Sequence, residues 1–413
     1  MQTHRMFLAP IARCRLPNGS SSLGSLVRLG SRRSEPHGVS ASLSEVVMSL
    51  ALDLESKSII ENTLRRFITE SYEPTARHQR LKQREVDCLL HWPLLAELGV
   101  LGLPFDEAFG GLGGASVDVA DALVVLARGL VFEPFVEAAI ISGGILAARQ
   151  DVQQREQAIT RVIDGSSVTM TLGGRPGLPG ELAYRKIPGG YRVSGTSCVV
   201  PFAEQADFWL LAAVDADGIP AVLRVPRREI SASISGYRLM DGRPAADVSF
   251  DEATIPSSGV WIEGDAACQA LRLASLRAVS AYCADAVGVM AMLVENTGEY
   301  LRTRVQFGVA IGTFQALQHR FADMHMRLIE AQAIARELAI SIDEGTSEDQ
   351  AWLRFAAASV VERAARLIGH EAIQMHGGMG VTDELIVSHC NARLVVLTRL
   401  IRAWVDEEVP LRT

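Results

Sequence analysis

The sequence predicts a chain of the α+β class in three parts: an N-terminal helical domain, a central all-β domain and a C-terminal four-helix bundle. Three observations support this prediction. Apolar residues recur at helical spacing up to about residue 165, short β-branched and aromatic runs follow, and long helical patterns return after residue 264. At 413 residues, 48% of them hydrophobic, the chain is too long for one small core, so two or three domains are expected.

Residues 1–47 stand outside this fold prediction because their composition differs from the rest. They contain six arginines and two acidic residues, and the serine-rich stretch SSSLGSLVRLGSRRS has no sustained apolar period. A transit peptide has this composition, and so does a segment read from a mistaken upstream start. We favour the mistaken start, with Met48 as the true first residue, because helical periodicity begins directly after it.

The N-terminal helical domain is predicted to span residues 48–165. Apolar residues recur at helical spacing in four segments, whose predicted ranges are 54–67, 87–98, 118–130 and 137–149. A long turn rich in glycine, residues 99–114, separates the first two segments from the others. Gly143 and Gly144 inside the last segment indicate close approach of another helix.

The β domain is predicted over residues 166–264 and the helical bundle over residues 265–413. Turns of Gly, Pro and Asp separate the short runs SVTMTL, YRVSG, SCVVPF, DFWLLAAV, AVLRVP and ADVSF at regular spacing, which is typical of a sandwich or barrel. Four long amphipathic patterns then predict antiparallel bundle helices, with the ranges 266–304, 313–344, 347–376 and 383–410.

Composition narrows the classes of function. The net charge of −8 and the pI near 5.7 argue against binding to nucleic acid or to an anionic membrane surface, because both attract positively charged proteins. Charged residues interrupt the apolar runs of the sequence before these reach the length of a membrane span. The six cysteines are scattered without a CxxC pair or a Cys/His cluster, so no metal site is expected and a reducing, cytoplasmic compartment is predicted.

The stretch QMHGGMGVTDE, residues 374–384, separates two long helical patterns with three glycines. One glycine in the left-handed conformation is enough to end a helix. Three together indicate that something lies close to the backbone, and bare N–H groups beside a helix start suit a phosphate chain. The competing interpretation is a helix cap followed by a tight loop.

Three sequence motifs, in their order along the chain, resemble motifs of one known protein family. They are WPLLAELGVLGLPFDEAFGGLGG in the first domain, RVQFG at residues 304–308 with FQALQH and ADM after it, and the glycine stretch at residues 374–384. No Rossmann, Walker, nucleophile-elbow or HExxH motif is present. From about Met48 to its end the chain resembles the acyl-CoA dehydrogenase family, which implies FAD as cofactor, an acyl-CoA thioester as substrate and α,β-dehydrogenation as reaction.

The resemblance also implies which residues contact the ADP half of FAD. By position these are Arg304, Gln306, Phe307, Phe314, Gln374, Gly377 and Gly378. The chemistry agrees, because a guanidinium suits a pyrophosphate and a bare glycine backbone permits close approach. The competing interpretation of Arg304 is a surface salt bridge, and His376 is expected to be a hydrogen-bonded loop histidine rather than a ligand.

The chain departs from the family pattern where the flavin ring and the catalytic base belong. The family places a glutamate in the last bundle helix or in the first, and the matching positions here hold Ile401 and Ala278, the latter beside Arg277. In the β domain, Val199 and Pro201 stand where an aromatic residue and a hydroxyl are expected, and proline offers no N–H donor. The sequence TMTLGGRPGLPG stands where the family has a Thr-Glu-Pro motif. Because of these departures together, no catalytic residue is assigned to this chain.

These departures favour a partner subunit that completes the FAD site of a catalytic subunit, similar to the small subunits of pimeloyl-CoA and steroid side-chain dehydrogenases. The resemblance implies assembly with another family member and electron-transfer flavoprotein as electron acceptor. Two alternatives stay open. The chain is a self-sufficient homomeric dehydrogenase with a displaced base, with Asp285, Asp406 and Glu407 as candidates, or it is a non-catalytic paralogue that acts as a binding or structural protein.

Overall fold

The computed structural model describes residues 52–82, 87–173 and 182–405. A helical N-terminal part, a central β-sheet and a C-terminal helical bundle follow one another along them, which confirms the predicted fold class. The expectation for residues 1–47 lies outside the described residues. The strands begin at Thr169 and the first bundle helix begins at Gly264.

The helices of the N-terminal part pack around a shared apolar core. Their bounds are α1 Leu54–Ser71, α2 Pro74–Lys82, α3 Trp92–Glu97, α4 Ser116–Ala127, α5 Gly143–Ala147 and α6 Val152–Ile163. Helix α1 begins where the Asp53 carboxylate accepts a hydrogen bond from the Ser56 backbone N–H at 2.7 Å, which satisfies one of the free donors of the first turn. Leu64 and Phe67 are the buried residues of this helix.

Two predicted helices of this part differ from the structure. In the segment predicted over 87–98, residues up to 91 form a turn, and α3 begins only at Trp92 with Pro93 in its first turn. Proline is tolerated there because the N–H of that position has no partner in a helix. The helix predicted over 137–149 begins earlier, as a π-helix at Phe135–Ser142 that continues into α5.

The two glycines at the start of α5 lie in close contact with other parts of the fold. A Cβ on Gly144 would be 2.8 Å from Nη1 of Arg277 in the bundle, and a Cβ on Gly143 would be 2.5 Å from Cζ of Phe105. Gly143 has no room for a side chain, because a buried aromatic ring and a carbonyl oxygen lie against it. At Gly144 the neighbour is the end of a flexible side chain from another helix, so the close approach of the helix itself stays a prediction.

Eight strands form one hydrogen-bonded sheet in the middle of the chain. Their bounds are β1 Thr169–Gly173, β2 Leu182–Ile187, β3 Gly190–Pro201, β4 Phe208–Val214, β5 Pro220–Pro226, β6 Ser233–Arg238, β7 Pro244–Pro256 and β8 Val260–Glu263. The order is β6-β7-β3-β2-β4-β5-β8, and β1 pairs with β4 in parallel, from Thr169↔Phe208 to Gly173↔Ala212.

The predicted runs correspond to β1, β3, β4, β5 and β7, and the sequence patterns miss β2, β6 and β8. The runs YRVSG and SCVVPF are the two halves of the single strand β3, whose register against β7 shifts at two irregularities. The run DFWLLAAV becomes β4, which is buried along most of its length. The sequence does not predict β6, because this edge strand is mostly exposed and carries no apolar alternation.

Four long helices form the C-terminal bundle, with the bounds α7 Gly264–Thr303, α8 Gln315–Glu344, α9 Ser347–His376 and α10 Ile386–Trp404. A two-stranded hairpin, β9 Val305–Gln306 and β10 Val309–Ala310, joins α7 to α8, and a 3-10 helix at Gly377–Val381 follows α9. The starts and ends of α7 and α9 agree with prediction within two residues. Helix α10 is described as far as Trp404, and its predicted end near residue 410 lies outside the described residues.

Helix α7 is the longest of the described helices. Its length and composition alone would allow it to cross a bilayer, although the sequence patterns predict no such run. In the structure, 89% of its apolar window is buried within the protein. Contacts with α4, α8, α9 and α10 surround α7, so it is the central helix of the core.

Candidate cofactor-binding site

The two motifs predicted to bind ADP, residues 304–308 and 374–384, lie together at one end of the bundle. The rings of Tyr300 on α7 and His376 on α9 are stacked, with centroids 4.3 Å apart and planes 28° from parallel. Tyr300 lies one turn before Arg304, and His376 directly precedes Gly377. Nδ1 of the buried His376 is 2.8 Å from the Ala372 carbonyl oxygen, so this histidine is hydrogen bonded within the fold, as expected.

The hairpin after α7 exposes the RVQFG motif, residues 304–308, to solvent. Phe307 and Gly308 occupy its turn with φ angles of 55° and 82°, the left-handed pair that a tight two-residue hairpin turn requires. The Phe307 side chain is 93% exposed, and its ring lies edge-on to that of Phe314 at 6.2 Å. A ring so exposed indicates a surface that another molecule covers.

Arg304 and Gln306 lie at the base of the same hairpin and are exposed. The Arg304 guanidinium makes no ion pair or hydrogen bond to another described residue, so the surface salt bridge considered for it is not formed there. Nε2 of Gln306 donates to the Val305 carbonyl oxygen at 2.9 Å. Both side chains are therefore free to meet a ligand or a second chain.

The glycine turn after α9 contains the second motif, residues 374–384. Gly377 ends the helix with φ 61° and ψ −140°, a conformation open essentially to glycine. A Cβ on Gly378 would meet nothing within 4 Å, whereas a Cβ on Gly380 would lie 2.7 Å from the Ile373 carbonyl oxygen. Packing within the chain therefore requires glycine at position 380 but not at position 378. The backbone of Gly378 faces open space that a ligand could occupy. Gln374 is exposed in the last turn of α9.

The positions expected near the flavin ring lie in another part of the fold, around a small cavity. A cavity of about 40 Å³ lies where the sheet meets the bundle, and its lining includes Glu137, Thr171, Val199, Pro201, Tyr282 and Trp404. Sites for cofactors usually measure about 300–1,000 Å³. The described residues around this cavity enclose less space than a tricyclic flavin ring needs.

Comparisons with known proteins identify the family. The model of the acyl-CoA dehydrogenase N-terminal domain matches residues 55–166, and that of the acyl-CoA dehydrogenase C-terminal domain matches residues 266–401. The chain belongs to the acyl-CoA dehydrogenase family. Its membership confirms the predicted enzyme class, an oxidoreductase acting on CH–CH bonds, and FAD as the cofactor.

Relatives of this acyl-CoA dehydrogenase include two from Mycobacterium tuberculosis. FadE27 is 27% identical over 315 residues, covering 73% of this chain and 83% of that protein. IpdE2 is 26% identical over 365 residues, covering 86% and 98%. Among solved structures, the ChsE4-ChsE5 complex from the same organism matches with a TM-score of 0.77 at 20% identity, over 85% of this chain and 94% of that one.

The two halves of the family's FAD site differ in how well this acyl-CoA dehydrogenase fits the cofactor. The exposed hairpin and the open glycine turn offer a guanidinium, aromatic rings and bare N–H groups, which suit an adenosine diphosphate. On the flavin side, Ile401 and Ala278, which the resemblance predicts at the base positions, are both fully buried. Neither residue can accept a proton.

Asp285, considered as a displaced base, is committed to a buried ion-pair cluster. Its carboxylate is ion paired with Arg393, which also lies 2.9 Å from Asp241. Asp241 in turn lies 2.8 Å from Arg243, which reaches Glu137 at 3.2 Å. Burial alone would lower the pKa of Arg393, but Asp285 and Asp241 outweigh it and raise that pKa. Asp406 and Glu407, the other candidates, lie outside the described residues.

Sequence reasoning missed Glu137, a carboxylate that does line the small cavity. Its Oε1 accepts from Tyr282 Oη at 3.1 Å and from Arg243 Nη1 at 3.2 Å. Both contacts to described residues use Oε1, and the residue itself lines the cavity. An acid inside the apolar run FVEAAIIS is the signal that could have revealed it, since an unpaired charge is costly in such a core.

Proposed function

We propose that this chain is the partner subunit of a heteromeric acyl-CoA dehydrogenase, which completes the FAD site of a catalytic subunit and supplies no base itself. One observation carries the proposal: the residues suited to the ADP end are exposed together, whereas the base positions hold buried aliphatic groups. In such an assembly the catalytic subunit removes the α-proton of the thioester. This chain holds the far end of the cofactor.

The proposed contacts follow from the chemistry of each exposed group. Arg304 pairs with the pyrophosphate, because a guanidinium donates two parallel hydrogen bonds to phosphate oxygens. Phe307 and Phe314 pack against the adenine end, and Gln306 donates through its amide. The backbone of Gly377 and Gly378 approaches the phosphates closely, with Gln374 beside them.

Exposed apolar side chains around this end support assembly with a second chain. Val305, Phe307, Val309, Met379 and Val381 are all more than 40% exposed and belong to the hairpin or the glycine turn. Met326 and Ile329 are likewise exposed on α8. Apolar groups in such number at one end of a chain are typical of a protein interface. The similar ChsE4-ChsE5 complex is itself named as a pair of chains.

The remaining functional expectations belong to the same proposal. An acyl-CoA is the substrate of the assembled enzyme, and electron-transfer flavoprotein is its electron acceptor. We place the assembly in the cytoplasm. Cys283 and Cys390 support this, because both are buried as free thiols.

Purification of the chain alone and with a base-bearing family member tests the proposal. Flavin absorbance and acyl-CoA dehydrogenation are expected from the pair and not from either chain alone. Replacing Arg304 with methionine is expected to weaken FAD retention by the pair about tenfold or more, the loss of a charge-assisted hydrogen bond. Arg302→Met is the matched control, since Arg302 pairs with Glu299 on the outer face of α7 and should change retention less than about twofold.

Two results would contradict this assignment. Tight FAD and full turnover from the lone chain would establish a self-sufficient dehydrogenase, for which Glu137 is the carboxylate beside the flavin-side cavity. In that case Glu137→Gln should abolish turnover while FAD stays bound. Absence of FAD from every assembly would instead favour a non-catalytic paralogue.

A further inference from the structure

A larger cavity, of about 200 Å³, lies between the N-terminal part and the bundle helices α7 and α8. Most of its walls are apolar, and they include Phe105, Phe109, Val119, Leu123 and Ile140. Arg277 and Ser280 also line it, from positions three residues apart on α7. Residues at this spacing share one face of a helix, so both polar groups project into the same space.

Neither polar side chain has a partner within the described part of the chain. No described residue forms a hydrogen bond or an ion pair with the Arg277 guanidinium, and the same holds for the Ser280 hydroxyl. A guanidinium carries five N–H donors and accepts nothing. The cavity therefore presents donors that no described residue satisfies, so it can accept the oxygens of a ligand.

The surroundings of Arg277 make its charge costly without such an acceptor. Its Nη1 lies against Gly144, where a Cβ would be only 2.8 Å away. Burial lowers the pKa of Arg277, and Asp343 offsets only part of that effect. Arg277 is half-buried, and a cation held partly out of water without an ion-pair partner is costly, which makes it a candidate ligand-binding group.

The acids near the cavity are already engaged. Oδ2 of Asp343 accepts from the Ser116 N–H at 2.7 Å and Oδ1 accepts from the Ser116 hydroxyl at 2.9 Å, which caps α4. Asp106 accepts from the Ala108 N–H at 2.8 Å and caps a 3-10 turn. Both carboxylates stabilise helix starts, and neither is within ion-pair distance of Arg277.

We propose that this cavity binds the carboxylate end of a short apolar ligand, with Arg277 and Ser280 donating hydrogen bonds to its oxygens. A volume of about 200 Å³ has room for about seven groups the size of a water molecule. Pentanoate has this size, and its alkyl chain matches the aromatic and aliphatic walls. The inference goes beyond the proposed function, since it requires neither FAD nor a catalytic partner.

Such a carboxylate has two sources, a free carboxylic acid or the far end of a dicarboxylic acyl-CoA. The cavity is close to the flavin-side cavity along the chain. Ala139 and Ile140 line the larger one, and Glu137 and Ile141 line the smaller one. An acyl group with its thioester on the flavin side could therefore place its far end beside Arg277.

Isothermal titration calorimetry of the full chain with pentanoate and with pentanamide, its neutral analogue, tests the proposal at constant ionic strength. Pentanoate is expected to bind about tenfold more tightly or better, the difference of a charge-assisted hydrogen bond. Arg277→Met should abolish this preference, and Arg277→Lys should keep part of it. Arg272→Met, an exposed position on the same helix, is the matched control and should leave the preference unchanged.

A second readout separates a ligand-binding arginine from a structural one. Without ligand, Arg277→Met should unfold at the same temperature as the wild type or higher, because it removes an unpaired, half-buried charge. A clearly lower unfolding temperature, equal binding of the two probes, or a preference that survives in Arg277→Met would each overturn the proposal. Octanedioyl-CoA compared with octanoyl-CoA then distinguishes the sources: an Arg277-dependent preference for the former identifies the end of an acyl group, and its absence identifies a free acid.

Discussion

Replacing Asp285 with alanine tests the buried ion-pair cluster that joins the three parts of the chain. Arg393, from α10, is ion paired with Asp285 of α7 and with Asp241 of the β6–β7 turn, and all three are buried. Removing one member of a buried pair typically costs about 3–5 kcal/mol, since the other charge stays in a medium of low polarity. Asp241 still compensates Arg393 in the variant, so we expect the lower end, about 3 kcal/mol.

Urea unfolding followed by circular dichroism measures this loss. The matched variants are Arg393→Met and the double variant Asp285→Ala/Arg393→Met, which together complete a double-mutant cycle. The double variant should be less unstable than the sum of the single variants by about 2 kcal/mol, because it leaves no unpaired guanidinium. A loss below about 1 kcal/mol in Asp285→Ala, or strictly additive effects, would refute the reasoning.

A second substitution, Asp285→Asn, distinguishes a structural role of Asp285 from a catalytic one. If the residue is structural, Asp285→Asn assembled with a catalytic partner should keep turnover in proportion to its folded fraction. If Asp285 is instead a displaced base, turnover should fall by about a hundredfold or more while stability stays close to wild type.

Further predictions concern titration and the glycine turn. Burial raises the pKa of Glu133 to about 7 from its ordinary 4.5, so the fold favours its protonated form. This contribution to stability is full below about pH 4.5 and is lost as the pH rises through 7, about 3 kcal/mol in all, and Glu133→Gln should remove that pH dependence in urea titrations. For Asp241, burial would raise the pKa, but Arg243 and Arg393 lower it to about 2, so about 2 kcal/mol should be lost between pH 3.8 and 2. Gly378→Ala should leave the unfolding temperature unchanged but weaken FAD retention by the assembled pair, whereas Gly380→Ala should cost about 1–3 kcal/mol of stability, because its Cβ meets the Ile373 carbonyl. Equal destabilisation by the two alanines would argue against an open cradle at Gly378.

Local sequence accounts for most of the architecture. The bundle helices follow from long apolar periods, which need no distant partner to be recognised, and α7 and α9 match their predicted ranges closely. The glycine turn and the RVQFG hairpin are also local, because φ angles such as those of Gly377 and Gly308 are set by residue type. Edge strand β6 and the π-helix at Phe135–Ser142 escape prediction, since tertiary contacts rather than periodicity define them.

What the sequence by itself determined was the family and the order of the domains, and it predicts aliphatic residues at the positions of the family's base. Only the tertiary structure decided which polar groups are satisfied. Asp285 and Arg277 look alike in the sequence as charged residues on one helix, yet Arg393 from over a hundred residues away neutralises the first and no described residue neutralises the second. Pairing of buried charges depends on which distant segments fold together, and no local pattern records that.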